Sequence, residues 1–337
     1  MYSFVPSPLK LVGSSEEELL EKSVNQDHPF RLLSGSIKLD KIARKYRHLY
    51  SNLGTKGIPI EKAFRLLIIQ FLEDFSDREM ERAISENLAV KWFCGYQISE
   101  STPDHSFFSI FRKRLGTNNL KNIFDEANEN LREAGLIGDA FSFVDATGIV
   151  TKTALWDERD KALAASEKKL NNANVKKYAC DKDARYGCKG KDKFFYGYKR
   201  NCVVDMKQGI ITKVAATPAN INDDKALKHI CPKDGMVIAD KGYDTEFAKT
   251  ITKKKGCHLR AIKKINRKDK NTDFDRWLSK VRMPYESTFS KFHTRAKYRG
   301  IAKVQFQVLA EAIAFNLKRF IKITQTKASA GIAFSTG

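Results

Sequence analysis

Phe141-Ser142-Phe143-Val144-Asp145 and Met236-Val237-Ile238-Ala239-Asp240 are the stretches that decide how this chain is read. Each is a short apolar run closed by an aspartate. Runs of that length and composition predict buried β-strands, the kind found in sheets covered by helices. An ionised carboxylate at the end of such a strand carries a desolvation cost unless a cation or solvent meets it. A third acid, Glu286, stands in Pro284-Tyr285-Glu286-Ser287-Thr288-Phe289, within a strongly basic stretch. Two strand-end aspartates and a later helical glutamate suit a divalent-metal site for phosphoryl transfer, where carboxylates bridge two Mg²⁺ ions about 3.5–4 Å apart. Magnesium takes hard oxygen ligands and keeps several waters, so no Cys or His is required. Each acid also has a structural reading. Asp145 caps a turn before Thr147-Gly148, Asp240 caps another, and Glu286 pairs with Arg282 one helical turn earlier.

Outward from these runs, strands at 141–144, 194–204, 210–216, 236–239 and 258–262 predict a sheet, with helices at 223–230 and 245–254. That order implies a mixed five-stranded sheet flanked by helices, an α/β domain over 139–325. The lysine-dense segment 152–193 reads as a long, partly mobile excursion. Residues 1–138 read as an all-helical domain. An apolar helix covers 61–74, Ser76-Asp77-Arg78-Glu79 starts the next, Asp104 caps a third, and Gly116-Thr117 interrupts it. Such a domain serves equally well for DNA binding or for packing and dimerisation. A C-terminal amphipathic helix covers 304–323, and the small, polar residues 326–337 predict a flexible tail. Pro284 fits the first turn of a helix, so the helix carrying Glu286 is expected to begin, or to kink, close to it.

The net charge of +21 is unevenly carried. Residues 1–138 hold 19 basic and 19 acidic side chains, whereas residues 139–337 hold 42 against 21. Residues 251–300 alone hold 16 basic and 4 acidic ones. A membrane-surface patch shares such a charge, but cations crowded around candidate catalytic acids favour nucleic acid. No apolar stretch has signal-peptide character or bilayer-spanning length, so a soluble, cytoplasmic protein without a membrane partner is expected. The six cysteines include no CxxC pair, and Cys180, Cys188 and Cys202 match no common zinc template.

Taken in order along the chain, these residues resemble a known family. Thr102-Pro103-Asp104-His105-Ser106, with Phe111-Arg112 and Arg114-Leu115, is similar to the helical domain of bacterial insertion-sequence transposases of the DDE type. Val144-Asp145-Ala146-Thr147 resembles the segment of their first catalytic aspartate, and Ala239-Asp240-Lys241-Gly242-Tyr243 that of the second. Between them, Asp181-Lys182-Asp183-Ala184-Arg185, Gly197-Tyr198-Lys199, Val204-Asp205, Gly209 and Thr217-Pro218-Ala219-Asn220 resemble the family's central block. Arg282, Glu286 and Phe289, with Lys297-Tyr298-Arg299-Gly300 beyond, resemble its glutamate signature. The likeness falls in insertion sequence family five, within the family-four-like superfamily. Ser279 and His293 depart from it, standing where the family signature has Tyr and Lys.

The resemblance implies a ribonuclease H-like catalytic domain after a DNA-binding helical domain. It implies Mg²⁺- or Mn²⁺-dependent cleavage of double-stranded DNA at terminal inverted repeats, then attack of the freed 3′-hydroxyl on target DNA by a protein oligomeric on DNA. Asp145, Asp240 and Glu286 would hold the metals. Arg282 and His293 would contact phosphate, with Lys291 or Lys297 able to substitute for the departed lysine, and Lys199 and Arg185 are further DNA candidates. A neutral histidine is a weaker phosphate contact than lysine. A non-catalytic DNA-binding descendant and a ribonuclease H-like repair nuclease are the alternatives.

Overall fold

Ser76 and Glu79 close the helix start that their spacing predicts. Ser76 accepts from the Glu79 N–H, and the Glu79 carboxylate accepts from the Ser76 N–H. The computed structural model describes residues 15–36, 39–50, 57–152, 155–190, 193–290 and 292–329. The chain divides into two compact units, residues 1–115 and 116–337.

The first unit is helical: α1 (Glu16–Ser23), α2 (Pro29–Ser36), α3 (Leu39–Arg44), α4 (Ile60–Leu72), α5 (Asp77–Glu86), α6 (Leu88–Cys94) and the first half of α7 (His105–Glu133). α4 is buried on nearly every face, as its almost unbroken apolar sequence requires. Its one buried amide, Gln70, donates to Asp77 at 2.6 Å, and Arg112 of α7 donates to both Asp77 carboxylate oxygens at 2.7 and 2.6 Å. This latch ties α4, α5 and α7 together. Asp104 caps α7 by accepting from the Ser106 and Phe107 N–H groups. Gly116 interrupts α7 at φ 70°, where a Cβ would be strained.

The second unit is built on β1, and β1 does not stop at its aspartate. It spans Phe141–Lys152, with Asp145 opposite Cys202 in mid-strand. The excursion that follows contains α8 (Trp156–Ala164), α9 (Val175–Tyr178) and β2 (Arg185–Lys189). The other strands are β3 (Lys193–Asp205), β4 (Ile210–Pro218), β5 (Met236–Ala239) and β6 (His258–Ala261). The sheet therefore has six strands, not five, in the order β2-β3-β1-β5-β6, with β4 also on β3. Two facts explain the differences from the sequence reading. The long antiparallel β3 supplies β1 with hydrogen-bond partners well past its last apolar residue. Gly187 lets β2 lie close to Ala219, whose carbonyl would stand 2.6 Å from any Cβ there.

Helices cover both faces. Val144, Val237 and Ala239 pack with Leu227 and Ile230 of α10 (Leu227–Ile230) and Ala248 of α11 (Glu246–Lys254). Phe143 points the other way by strand alternation, toward α12 (Thr272–Ser290). On β4, α13 (Ile301–Ser329) hydrogen-bonds the outer backbone. Asn316 accepts from the Ile211 N–H and donates to its carbonyl, and Gln305 accepts from the Ala216 N–H. These amides satisfy an edge that would otherwise invite pairing. α13 continues to Ser329, into the segment read as a tail; residues 330–337 and Lys291 lie outside the described residues.

Candidate active site

Asp145 and Asp240 are brought side by side by register. The parallel pairing of β1 with β5 ends at Val144↔Ala239, and each strand's next residue is the aspartate. Neighbouring strands run about 4.8 Å apart, so the two carboxylates leave the sheet as neighbours. Beyond that point β5 ends, and β1 continues along β3, bridged on its other flank at Val150 by Thr294 and Ala296. Asp145 is thus at the end of one ladder and in the middle of another.

α12 brings the third acid. It begins at Thr272, fourteen residues before Glu286, with Pro284 in its interior. The expectation of a helix beginning, or kinking, close to Glu286 is corrected as to its start. Leu278 and Arg282 are buried on α12's inner face, and that burial holds the helix through a proline that removes one backbone hydrogen bond. Arg282 lies over the Phe143 ring, 5.1 Å from its centroid. Its guanidinium is 3.6 Å from Asp240 and donates to Glu286 at 3.0 Å. The arginine is thus the link between the strand acids and the helical one.

The electrostatics follow from burial. Loss of solvent pushes the Asp145 carboxyl up to about 6. The Ala146 N–H and the Arg282 charge pull the other way, while Asp240 and Asp223 add to the rise. Asp223 is an acid that the sequence reading passed over. Its helix-start context, Asn222-Asp223-Asp224, was visible, but nothing local reveals that its charge reaches Asp145. Among the described residues, no three His, Cys, Asp or Glu side chains stand close enough together to hold a metal. The donor chemistry nevertheless fits a hard divalent ion. All three acids offer oxygen only, and the Asp240 and Glu286 side chains are 43% and 53% exposed.

The other candidates separate. Lys199 donates to Asp223 at 2.8 Å and to the Ile221 carbonyl at 2.9 Å, a latch beside the acids rather than an open cation. Arg185 is turned onto the carbonyls of Lys182 and Ala184, and among the described residues no hydrogen bond or ion pair joins it to the three acids. His293 and Lys297 are exposed, on a segment fastened from beneath. The Thr294 carbonyl accepts from the Val150 N–H, and Gln307 accepts from the Lys297 N–H. Arg200 donates to the His293 carbonyl at 3.4 Å. Arg200 itself is fully buried, ion-paired with Glu311 and stacked on Phe292. That buried pair also escaped the sequence reading, because two charges 111 residues apart carry no local signal. Ser279, in place of the family's tyrosine, donates to the Asp275 carbonyl of its own helix.

Comparison with known proteins follows the same division of the chain. The family described as "Transposase DDE domain" matches residues 138–317, and the family described as "Transposase domain (DUF772)" matches residues 18–114. A transposase for insertion sequence element IS1106 of Neisseria meningitidis serogroup B is 28% identical over 237 residues, covering 66% of this chain and 81% of the relative. Among solved structures, a piggyBac transposase synaptic complex with hairpin DNA aligns over 95% of this chain and 77% of its own. The identity is 10% and the TM-score 0.39, too loose a likeness to build on.

Proposed function

Because the chain belongs to the transposase DDE domain family and is a DNA transposase of the bacterial insertion-sequence type, we propose that Asp145, Asp240 and Glu286 are its catalytic carboxylates. The observation that carries this reading is the register of β1 and β5, which sets two aspartates side by side beneath the helix of the glutamate. The strand order and directions, with β1, β5 and β6 parallel and β3 and β4 antiparallel, support a ribonuclease H-like arrangement to which β2 is an addition.

The family uses a divalent metal, and we assign Mg²⁺, with Mn²⁺ able to replace it. Held by the three carboxylates, it would supply activation of the attacking oxygen and stabilisation of the leaving one. In the first step water attacks phosphorus at the element end, and the bond to the 3′-oxygen breaks to leave a 3′-hydroxyl. In the second, that hydroxyl attacks a target phosphodiester, forms the new bond and releases the target's own 3′-oxygen. Asp145 and Asp240 orient the site from the sheet, and Glu286 completes it from α12. His293 and Lys297 lie on the exposed strip that we assign to phosphate near the cut. We place recognition of the terminal repeats in the helical residues 1–138 and catalysis in 139–325, in a protein that oligomerises on DNA and acts in the cytoplasm on the nucleoid. Among the described residues no helix is long and apolar enough to cross a membrane.

The test is strand transfer. The full-length protein is incubated with Mg²⁺ and DNA bearing the inverted repeats that flank its gene. Joined products are expected, and their absence for Asp240→Asn. Joining that persists with Asp240→Asn, or that survives EDTA, would overturn the assignment.

A further inference from the structure

Arg282 is the cation of this site, and its geometry is not that of a permanent structural bridge. The side chain is only 9% exposed, although both acids beside it are well exposed. Among the described residues it makes one hydrogen bond, to Glu286, while Asp240 at 3.6 Å is too far for a second. Its Nε is buried without a hydrogen-bond partner. A buried guanidinium normally gains its stability from a two-pronged carboxylate fork, as Arg112 does on Asp77. Arg282 is instead held by charge and by the Phe143 ring beneath it. It stands among three carboxylates whose charge a divalent ion would otherwise balance.

We propose that Arg282 is the resident counter-ion of the Asp145, Asp240 and Glu286 site, and that divalent metal and the Arg282 guanidinium compete for the same carboxylates. Metal entry then turns the guanidinium out and frees its charge for the phosphate of bound DNA. The two events are coupled, and linkage makes the coupling reciprocal: DNA that engages Arg282 tightens metal binding. The inference rests on the carboxylate assignment above, and its test separates the two.

Mn²⁺ binding to the full-length protein is measured without DNA, by electron paramagnetic resonance of the free ion or by calorimetry. Arg282→Gln is expected to bind Mn²⁺ about tenfold more tightly than wild type, within the range of ordinary site coupling. Arg282→Lys, which keeps the charge, should stay near wild type. Adding a short DNA duplex should raise Mn²⁺ affinity in wild type and leave Arg282→Gln unchanged. Arg282→Met, with an unbranched chain over Phe143, serves if the amide variant does not fold. Equal or weaker Mn²⁺ binding by the uncharged variants, with binding lost in Asp240→Asn, overturns the counter-ion role and leaves the carboxylate site standing. Wild-type Mn²⁺ affinity in Asp145→Asn and Asp240→Asn defeats the carboxylate site itself.

Discussion

Two arginine–carboxylate clusters, one in each unit, use the same chemistry to opposite ends. In the helical unit, burial alone would raise Asp77, but the two hydrogen bonds and the charge of Arg112 outweigh it and hold the carboxyl below its usual range. Gln70 adds a third bond. In the sheet unit, burial raises Asp145 to about 6 and Arg282 does not offset it. One cluster is satisfied and locks three helices. The other is left short of hydrogen bonds and rich in negative charge. A satisfied cluster stabilises the fold, whereas an unsatisfied one stores binding capacity for a ligand that the chain does not contain.

The strongest way to break this comparison is to neutralise acids on both sides of it. Asp145→Asn, Asp240→Asn and Glu286→Gln should each reduce DNA cleavage to the assay background with no loss of thermal stability. Asp77→Ala should do the reverse. It strands the largely buried Arg112, costs about 2–3 kcal/mol of stability and leaves metal binding unchanged. Denaturant unfolding of the four variants reads the contrast directly. A destabilised Asp145→Asn protein would collapse it.

A smaller effect is the pH response of the metal-free protein. The folded pKa of Asp145 lies above its unfolded value of 3.8, so the native state binds more protons between the two. The stability from that group is therefore complete below the unfolded value and is lost as pH rises through about 6. In EDTA at pH 7, Asp145→Asn should be more stable than wild type by up to about 2–3 kcal/mol. The difference should shrink toward pH 4. A constant difference across that range would mean that Asp145 does not titrate as its burial implies.

Smaller again is the electrostatic share of DNA binding. Lys253 and Arg260 line a cavity of about 350 Å³ beside β6, with Lys249 and His258. Replacing either by alanine should lower the salt dependence of nonspecific DNA affinity by about one released counterion for each phosphate left without its cation. An unchanged slope would remove that face from the DNA path. The smallest expected change is that of His293→Lys, which restores the family's residue on an exposed strip and should hold or modestly raise cleavage. A clear drop in cleavage would give His293 a role of its own.

How legible was this in the sequence? The capping box at Ser76, the Asp104 cap and the break at Gly116 were readable because each is made by residues within a few positions. The two apolar runs and their acids were readable for the same reason, as was the charge imbalance. β2 was not, because its place depends on Gly187 meeting Ala219, thirty-two residues away. Nor was the length of β1, which is set by its partner β3 and not by its own apolar residues.

What the sequence determined alone, then, was an acid at the end of each apolar run and the layered α/β plan, both fixed by local pattern. Tertiary structure decided what those acids meet. It placed Asp145 in mid-strand, brought the charge of Asp223 within its reach, bound Lys199 to Asp223, and drove Arg282 in among carboxylates from other parts of the chain. Those encounters are made by register and helix packing across 24 residues or more of sequence. Propensity and spacing act over one or two turns, so no local pattern encodes which charge will stand beside which.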